Sequence, residues 1–359
     1  MHTIRTYSVL LIALSFFLSS CSSKDNPSTA DTGSTLQSFK LANDGDAPNY
    51  DSPTTEAIWD SATPLVLTAA PIGDGFTGNS FPVTIRSVVS SQNIYFLVQY
   101  DDANENYLQQ PLHFQGGDPH DGANWTIDKT TYEDGVSLIF ESVAGTSGAK
   151  TFPTDGCAML CHTTPSSNWD KGMFSESIGR YDLWHWHAGK GNASGYADDK
   201  VSVGNPNFAI QKDDDNAEIY HYNVIDDSPG YEPYLVAGGA NKSLDKRYFI
   251  AEESAQTFAK GVSTNPSTGA PWATGDIVPS FSIAVPTAPS NDYFDVRAKG
   301  YYSGGKWTVK FQRKLGTTSV NDVQFASGNQ YLFSFAIHNN TAPEDHFGVA
   351  NKSFKLMIP

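Results

Sequence analysis

Short runs in which hydrophobic and polar residues alternate recur along the chain, and each predicts a β-strand. The clearest run places Trp307, Val309 and Phe311 on one face, with polar residues between them. A second strand-like run covers residues 293–302, and Gly304-Gly305 lies between the two. Two glycines supply the positive φ angles that a tight turn needs. The pattern therefore predicts a β-hairpin near the C terminus.

Similar runs are spread over most of the chain, and no internal repeat or long amphipathic helix interrupts them. They cover residues 65–69, 81–89, 94–100, 136–141, 218–222, 234–237, 331–337 and 354–358. In 94–100 both alternating sets are largely apolar, which predicts a central strand that is covered on both faces. The chain also has 30 glycines and 20 prolines, as turn-rich β proteins do. We predict a mostly β fold in which these strands form a sandwich.

The N terminus has the pattern of an export signal. Arg5 precedes an apolar run over residues 9–18, which is too short to span a bilayer comfortably. The sequence Leu18-Ser19-Ser20-Cys21 resembles a bacterial lipobox, in which the cysteine is acylated. We predict a lipoprotein signal peptide over residues 1–20 and a lipid anchor on Cys21. The alternatives are an ordinary secretory signal and a short membrane anchor.

Residues 21–52 are rich in Ser, Thr, Asp, Asn, Gly and Pro, with almost nothing apolar except Leu36, Phe39 and Leu41. This composition predicts a flexible tether followed by one folded domain over residues 53–359. The predicted location is the cell envelope, anchored by lipid to the outer membrane on the periplasmic face or at the cell surface. Ser22-Ser23-Lys24-Asp25 resembles a surface-export signal of some lipoproteins, and this resemblance favours the cell surface.

The formal charge of -16 and the pI near 4.8 exclude two classes of partner. Nucleic acids and anionic membrane surfaces would repel the chain. An acidic surface instead suits docking to a basic protein.

Cys157, Cys161 and His162 form a C-x-x-x-C-H motif. The commoner covalent haem motif, C-x-x-C-H, has one residue fewer between two cysteines that attach the porphyrin, and its histidine binds the iron. A small bulge would absorb the extra residue, so we favour one covalent haem c with His162 as an axial ligand. A Cys157–Cys161 disulfide and a metal site with further ligands stay open as alternatives.

A strand over residues 181–187 is predicted directly after this motif. In a strand His185 and His187 share one face, while Trp184 and Trp186 share the other. His185 is a candidate iron ligand, whereas His187, like His338 further along the chain, is interpreted as a group that hydrogen-bonds buried backbone. The tryptophans are candidate haem contacts, although packing in the core is the preferred interpretation.

A run of acidic residues, Asp213-Asp214-Asp215-Asn216, offers oxygen atoms to calcium. Its spacing lacks the closing glutamate of a known calcium loop. We interpret it as a solvated turn.

Five pieces of the chain together resemble one known family, the haem-binding domain of the ethylbenzene dehydrogenase γ subunit and its dimethyl sulfoxide reductase-type relatives, which include cytochrome c-552-like forms. They lie at 94–102, 132–136, 182–186, 305–315 and 335–338, with His346 after the last. The resemblance implies a β-sandwich related to a carbohydrate-binding module, with loop insertions that carry one haem. Relatives that bind haem without thioethers use methionine and lysine as axial ligands. The cysteines of this chain depart from that pattern.

The resemblance also suggests where the sixth iron ligand lies. Met173 stands where relatives place their methionine, and His346 stands near the position of their lysine. His185, on the strand after the motif, is a third candidate.

We therefore expect an exported, lipid-anchored monohaem c-type cytochrome that passes single electrons to a redox partner. No motif of a stand-alone enzyme is present, and an electron-transfer protein or redox subunit is preferred. The rival hypothesis is a lipid-anchored β-sandwich that binds a glycan or a protein, with Cys157 and Cys161 joined as a disulfide.

Overall fold

The computed structural model describes most of the chain after residue 33. The described ranges are 34–73, 75–118, 122–145, 151–161, 179–203, 294–342 and 345–359, with the shorter pieces 211–213, 220–222, 234–236, 250–251, 255–257, 265, 269–278 and 281–283. No helix in these ranges has the length and apolar character needed to cross a membrane.

Strands dominate the described residues. The strands are β1 (Thr35–Gln37), β2 (Phe39–Lys40), β3 (Leu65–Ile72), β4 (Phe81–Val89), β5 (Asn93–Asp101), β6 (Leu112–Phe114), β7 (Trp125–Ile127), β8 (Gly135–Val143), β9 (Arg180–His187), β10 (Asp198–Val203), β11 (Gln211–Asp213), β12 (Tyr220–Tyr222), β13 (Tyr234–Val236), β14 (Ile250–Ala251), β15 (Ala255–Thr257), β16 (Ile277–Val278), β17 (Phe281–Ile283), β18 (Arg297–Tyr302), β19 (Lys306–Lys314), β20 (Gln330–His338), β21 (His346–Gly348) and β22 (Phe354–Met357). The helices are short: α1 (Phe152–Asp155), α2 (Ala158–Cys161) and α3 (Lys190–Ser194), with 3-10 turns at Asp44–Asp46, Ala57–Ser61 and Gly122–Asn124.

Two large sheets form the body of the fold. The first has the order β18-β19-β5-β4-β3, and the second has the order β11-β10-β9-β8-β20, followed by β21. Antiparallel pairing of β21 with β3 joins the two sheets along one side. This arrangement confirms the predicted mostly β class and the sandwich.

Aromatic side chains from the two sheets meet in the core. Phe96 on β5 packs against Phe140 on β8 and Trp184 on β9, with ring centroids 5.6 and 5.8 Å apart. Trp186 on β9 packs edge-on against Trp307 on β19 at 5.1 Å. These large buried rings provide much of the apolar area that stabilises the sandwich.

The strand β5 is covered on both faces, as its sequence predicts. Ile94, Phe96 and Val98 enter the core between the sheets. On the opposite face Tyr95 and Leu97 pack under the 3-10 turn that carries Trp59. The predicted C-terminal hairpin is also present, because β18 pairs with β19 and Gly304 and Gly305 have φ angles of 59° and 76°.

The predicted tether is wrong in its second half. β1 pairs in parallel with β22, and β2 pairs in parallel with the end of β4. Leu36 is fully buried, and Leu41 packs near Trp59. The few apolar residues of this polar stretch thus anchor it to the sandwich, which begins at Thr35 rather than at residue 53.

Two short strands lie between residues 101 and 135, where the sequence pattern predicts none. β6 pairs with β7 and with β16, forming a small sheet of three strands. Its strands are only two or three residues long, and so short a run carries too little periodicity for sequence analysis to detect.

Candidate functional site

Four histidines form a row on the outer face of the second sheet. His187 and His185 come from β9, His338 from β20 and His346 from β21. The ring centroids are 3.8 Å apart between His187 and His185, 4.9 Å between His185 and His338, and 5.7 Å between His338 and His346. We call these four residues the histidine row. Alternation along β9 places the two tryptophans on its opposite face.

Cys157 lies at one end of the histidine row. Its Sγ is 3.6 Å from Nε2 of His346, and both residues are fully buried. The backbone N–H of Cys157 donates a hydrogen bond to Oγ of Ser334 on β20, at 3.1 Å. The turn between α1 and α2, which carries the first cysteine of the motif, is therefore fixed against the sheet that carries the histidines.

A glycine allows this close approach. Gly156 has a φ of 57°, which L side chains rarely adopt, and a Cβ at this position would overlap the carbonyl oxygen of Lys352. Only a residue without a side chain fits this backbone and this spacing. Gly156 thus determines where the thiol of Cys157 lies.

The surroundings of the thiol are apolar. Phe152, Met159, Tyr181 and Leu183 belong to the same buried cluster as Cys157. Burial raises the pKa of the Cys157 thiol to about 11. The group is therefore a neutral thiol at physiological pH.

Burial also keeps two imidazoles of the row uncharged. It lowers the pKa of His338 to about 3, and the nearby His187 adds to the effect. The pKa of His185 is lowered well below its usual value, first by burial and then by His187. Neutral imidazole is the form that binds metals.

His187 is held by carboxylates on both sides. Its Nδ1 lies 3.3 Å from Oε1 of Glu133, and its Nε2 lies 3.3 Å from Oδ2 of Asp198. Lys190 and Lys200 contact the same two carboxylates at 2.9 and 3.2 Å. Burial opposes the ionisation of Glu133, but Lys190 and His187 outweigh it and lower the pKa to about 2. Both ring nitrogens of His187 are thus engaged, and this residue orients the row rather than binding a ligand.

His185 has a different environment. Its Nε2 is buried and has no hydrogen-bond partner among the described residues. A Cβ on Gly135 would come within 3.2 Å of this nitrogen. A buried polar atom without a partner is rare and requires an explanation, such as a missing ligand.

The structure brings together some of the residues that the sequence singled out. Cys157, His346 and His185 meet within one buried region, and the backbone of Cys161 ends α2. Cys157 is a free thiol in this structure. The remaining predicted residues, His162, Met173 and Cys21, lie outside the described residues, as do Asp214–Asn216 of the acidic run.

The two tryptophans do not belong to this region. Trp184 and Trp186 are fully buried between the sheets, where they pack against Phe140 and Trp307. They face away from Cys157 because their side chains alternate with those of His185 and His187. The preferred interpretation, packing in the core, is therefore confirmed for both tryptophans, and the alternative of a cofactor contact beside the motif is not supported.

Sequence analysis gave two contributors a different role and missed two more. His338 and His187 were interpreted as groups that hydrogen-bond buried backbone, and Gly156 was not singled out. In the sequence, His338 is marked by its alternation with Ile337 on β20. The strand register that brings His338 beside His185 cannot be inferred from the sequence of β20 alone. Sequence analysis missed Ser334 for the same reason.

Comparison with known protein families identifies one match. A family model described as "Ethylbenzene dehydrogenase" matches residues 56–347. No curated protein sequence matches the chain.

Solved structures of carbohydrate-binding proteins are similar at a low level. A family 9 carbohydrate-binding module from Caldicellulosiruptor kristjanssonii in complex with glucose is 7% identical, with a TM-score of 0.34, over 90% of this chain and 95% of that chain. A putative carbohydrate-binding protein from Bacteroides uniformis is 8% identical, with a TM-score of 0.32, over 90% of this chain and 91% of that one. The family match covers well over half of the sequence, and the chain therefore belongs to the ethylbenzene dehydrogenase family.

Proposed function

We propose that this chain is an exported, lipid-anchored c-type cytochrome that carries one covalent haem and transfers single electrons at the cell envelope. The observation that carries the proposal is the buried contact between Sγ of Cys157 and Nε2 of His346, at 3.6 Å. It joins the covalent haem motif to a side chain of the type that binds haem iron. Membership of a redox family is consistent with this function.

The residues present suit a haem. Cys157 and Cys161 would hold the porphyrin, and His162 and His346 would bind the iron. His346 is preferred to Met173 and His185 because it contacts the thiol of the motif. The chemistry of these groups fits, since the thiol is neutral and the neighbouring imidazoles are uncharged.

When bound, the haem would supply one-electron chemistry through the ferric and ferrous states of its iron. The chain contributes the surroundings. The cluster of Phe152, Met159 and Leu183 excludes water beside Cys157, and a low local dielectric strengthens every electrostatic effect there. His187, fixed by Glu133 and Asp198, adds an ordered polar layer behind His185.

Electron transfer is preferred to catalysis by the chain alone. The histidine row has no neighbouring nucleophile other than the thiol of Cys157, as far as the described residues show. The expected partner is a redox protein or a terminal electron acceptor, and the acidic charge of the chain favours a basic docking surface. Attachment to the membrane through acylated Cys21 is part of this proposal.

The decisive experiment is to purify the chain from a host that matures c-type haem. We expect a Soret band that survives acid–acetone extraction, because thioether bonds hold the porphyrin. The control is the Cys157→Ser, Cys161→Ser double variant. It should keep the far-ultraviolet circular dichroism of a β protein, since the sandwich core lies elsewhere, but it should hold no covalent haem.

Two results would contradict the proposal. Folded but colourless wild-type protein would show that the chain binds no haem. A thiol titration of that protein would then test the rival hypothesis, in which Cys157 and Cys161 form a disulfide. Haem that stays on the double variant through denaturing electrophoresis would show that the attachment lies elsewhere.

A further inference from the structure

A second group of buried side chains lies on the core-facing side of β9, away from the histidine row. Asp182 on β9 and Asp199 on β10 share this side with Trp184. Asp322, in the loop between β19 and β20, reaches the same place, and so does the guanidinium of Arg313 on β19. Asp295, just before β18, is close enough to interact electrostatically with all of them. Four elements from both sheets thus meet at one end of the sandwich.

The three carboxylates Asp182, Asp199 and Asp322 are close and almost fully buried. One oxygen from each lies within 4.8 Å of the other two, and the residues are 1%, 1% and 4% exposed. Two oxygens that both bind one Ca²⁺ at about 2.4 Å are at most about 4.8 Å apart. The spacing therefore fits a single coordination shell.

The oxygens have too few partners. Both carboxylate oxygens of Asp199 and of Asp322 are buried and have no hydrogen-bond donor among the described residues, apart from the carboxyl of Asp295, which lies beside Asp199. Oδ1 of Asp182 has none either, although its Oδ2 accepts from Arg313 at 2.5 Å and from the backbone N–H of Val323 at 2.9 Å. Buried acceptors in this number are costly unless a ligand satisfies them.

The charges do not balance. Arg313 contacts Asp182 and lies 3.7 Å from Asp322, and it is the cationic side chain within the group. One guanidinium faces four carboxylates, counting Asp295. Burial raises the pKa of Asp182 to about 6 and that of Asp295 to about 7, with the neighbouring carboxylates adding to the effect and Arg313 opposing it. The group therefore needs either protons or a cation.

We propose that Asp182, Asp199 and Asp322 bind one Ca²⁺, with Asp295 close enough to contribute charge. All the donors are oxygens, which hard cations prefer, and the group contains no histidine or cysteine that would favour zinc. Ca²⁺ fits better than Mg²⁺, which gives up its water reluctantly and would not enter so dry a site. The ion ties β9 and β10 to the loop after β19. It would fasten the two sheets at this end of the sandwich.

This site is independent of the proposed haem. Asp182 and His185 belong to opposite faces of β9, so one strand carries both groups on its two sides. Loss of the calcium site should therefore leave covalent haem attachment in place. Failure of one proposal does not entail failure of the other.

The test uses the full-length chain as purified, desalted through a calcium-free buffer. Elemental analysis should find one calcium per chain. EGTA should lower the Tm, and added CaCl₂ should restore it, with a rise of about 5 °C at a hundredfold excess over the dissociation constant. MgCl₂ at the same concentration should have little effect.

Two variants separate the ion from its alternative, shared protons among the carboxyls. Asp199→Asn removes a proposed ligand and should abolish both the bound calcium and the response of the Tm to CaCl₂. Asp102→Asn is the matched control, because Asp102 lies outside the group but is also buried, and its Oδ2 has no hydrogen-bond partner among the residues that the structure describes. It should keep both. If wild-type protein holds no calcium and its Tm is the same in EGTA and in CaCl₂, the proposal is wrong and the carboxyls are protonated.

Discussion

Sγ of Cys157 lies 3.6 Å from Nε2 of His346, although 189 residues separate the two in the chain. The contact depends on the sheet, because β21 brings His346 beside β20, and Ser334 on β20 holds the backbone of Cys157. Two residues that sequence analysis proposed for one cofactor, by separate arguments, are thus neighbours in the fold.

Gly156→Ala tests whether the backbone before Cys157 determines the position of the thiol. The new Cβ would overlap the carbonyl oxygen of Lys352, and alanine is strained at a φ of 57°. We expect the free energy of unfolding to fall by about 2 kcal/mol or more, and covalent haem loading to fall with it. Denaturant titration and the ratio of Soret to protein absorbance measure the two effects.

The matched control is Gly195→Ala. Gly195 has a φ of 77°, but a Cβ there would contact nothing within 4 Å. This variant should lose about 1 kcal/mol from backbone strain and keep its haem. Equal haem loss in both variants would mean that Cys157 does not depend on the close approach at Gly156.

Asp134→Asn tests an electrostatic feature between the sheets. Burial and the nearby Asp102 raise the pKa of Asp134 to about 8, while its carboxylate oxygens accept hydrogen bonds from Trp307, Asn106 and Asn340. A carboxyl with a raised pKa in the folded state contributes stability that is present below its unfolded pKa and lost as the pH rises through its folded pKa. The wild type should therefore lose stability between pH 4 and about 8, by up to about 1.4 kcal/mol per pH unit.

The variant should start from a lower stability, because the amide cannot accept all three hydrogen bonds, but it should lack this pH dependence. Urea unfolding of both proteins between pH 5 and 8 gives the comparison. Carboxyl groups that do not interact with Asp134 titrate equally in the two proteins and cancel from the difference. Parallel curves for wild type and variant would show that Asp134 is not protonated in the folded state.

Cys21→Ser tests the lipid anchor. Acylation of that thiol supplies the proposed attachment, so the variant should move from the membrane fraction to the soluble fraction. The corresponding control is the Cys157→Ser, Cys161→Ser double variant, which should stay with the membranes. Unchanged fractionation of Cys21→Ser would refute the lipoprotein interpretation.

Strands could be predicted from the sequence where the alternation of hydrophobic and polar residues extended over a long run. β4, β5, β19 and β20 each have nine residues, and their predicted bounds agree with the structure to within one or two residues. β1 and β2 could not be predicted, because two or three residues in a polar stretch show no period. Their place depends on parallel pairing with β22 and β4, which are distant in the chain.

The site could be predicted only in part. The motif drew attention to Cys157, and the resemblance to the family drew attention to His346. The histidine row could not be predicted, because His185 and His338 are placed by the register between β9, β8 and β20. The buried carboxylates could not be predicted for the same reason. Sequence analysis considers calcium only at the consecutive acidic residues 213–215. Residues that are adjacent in sequence are easily noticed, whereas charges that assemble from four elements are not.

The spin state of the ferric haem in His346→Ala tests the central claim most directly, with Met173→Leu as the matched control for the rival ligand. We expect the wild type and Met173→Leu to be low-spin in electron paramagnetic resonance, because two strong axial ligands hold the iron. His346→Ala should become high-spin while its haem stays covalently attached. A low-spin signal in His346→Ala, together with a high-spin signal in Met173→Leu, would contradict the account and assign the ligand to Met173.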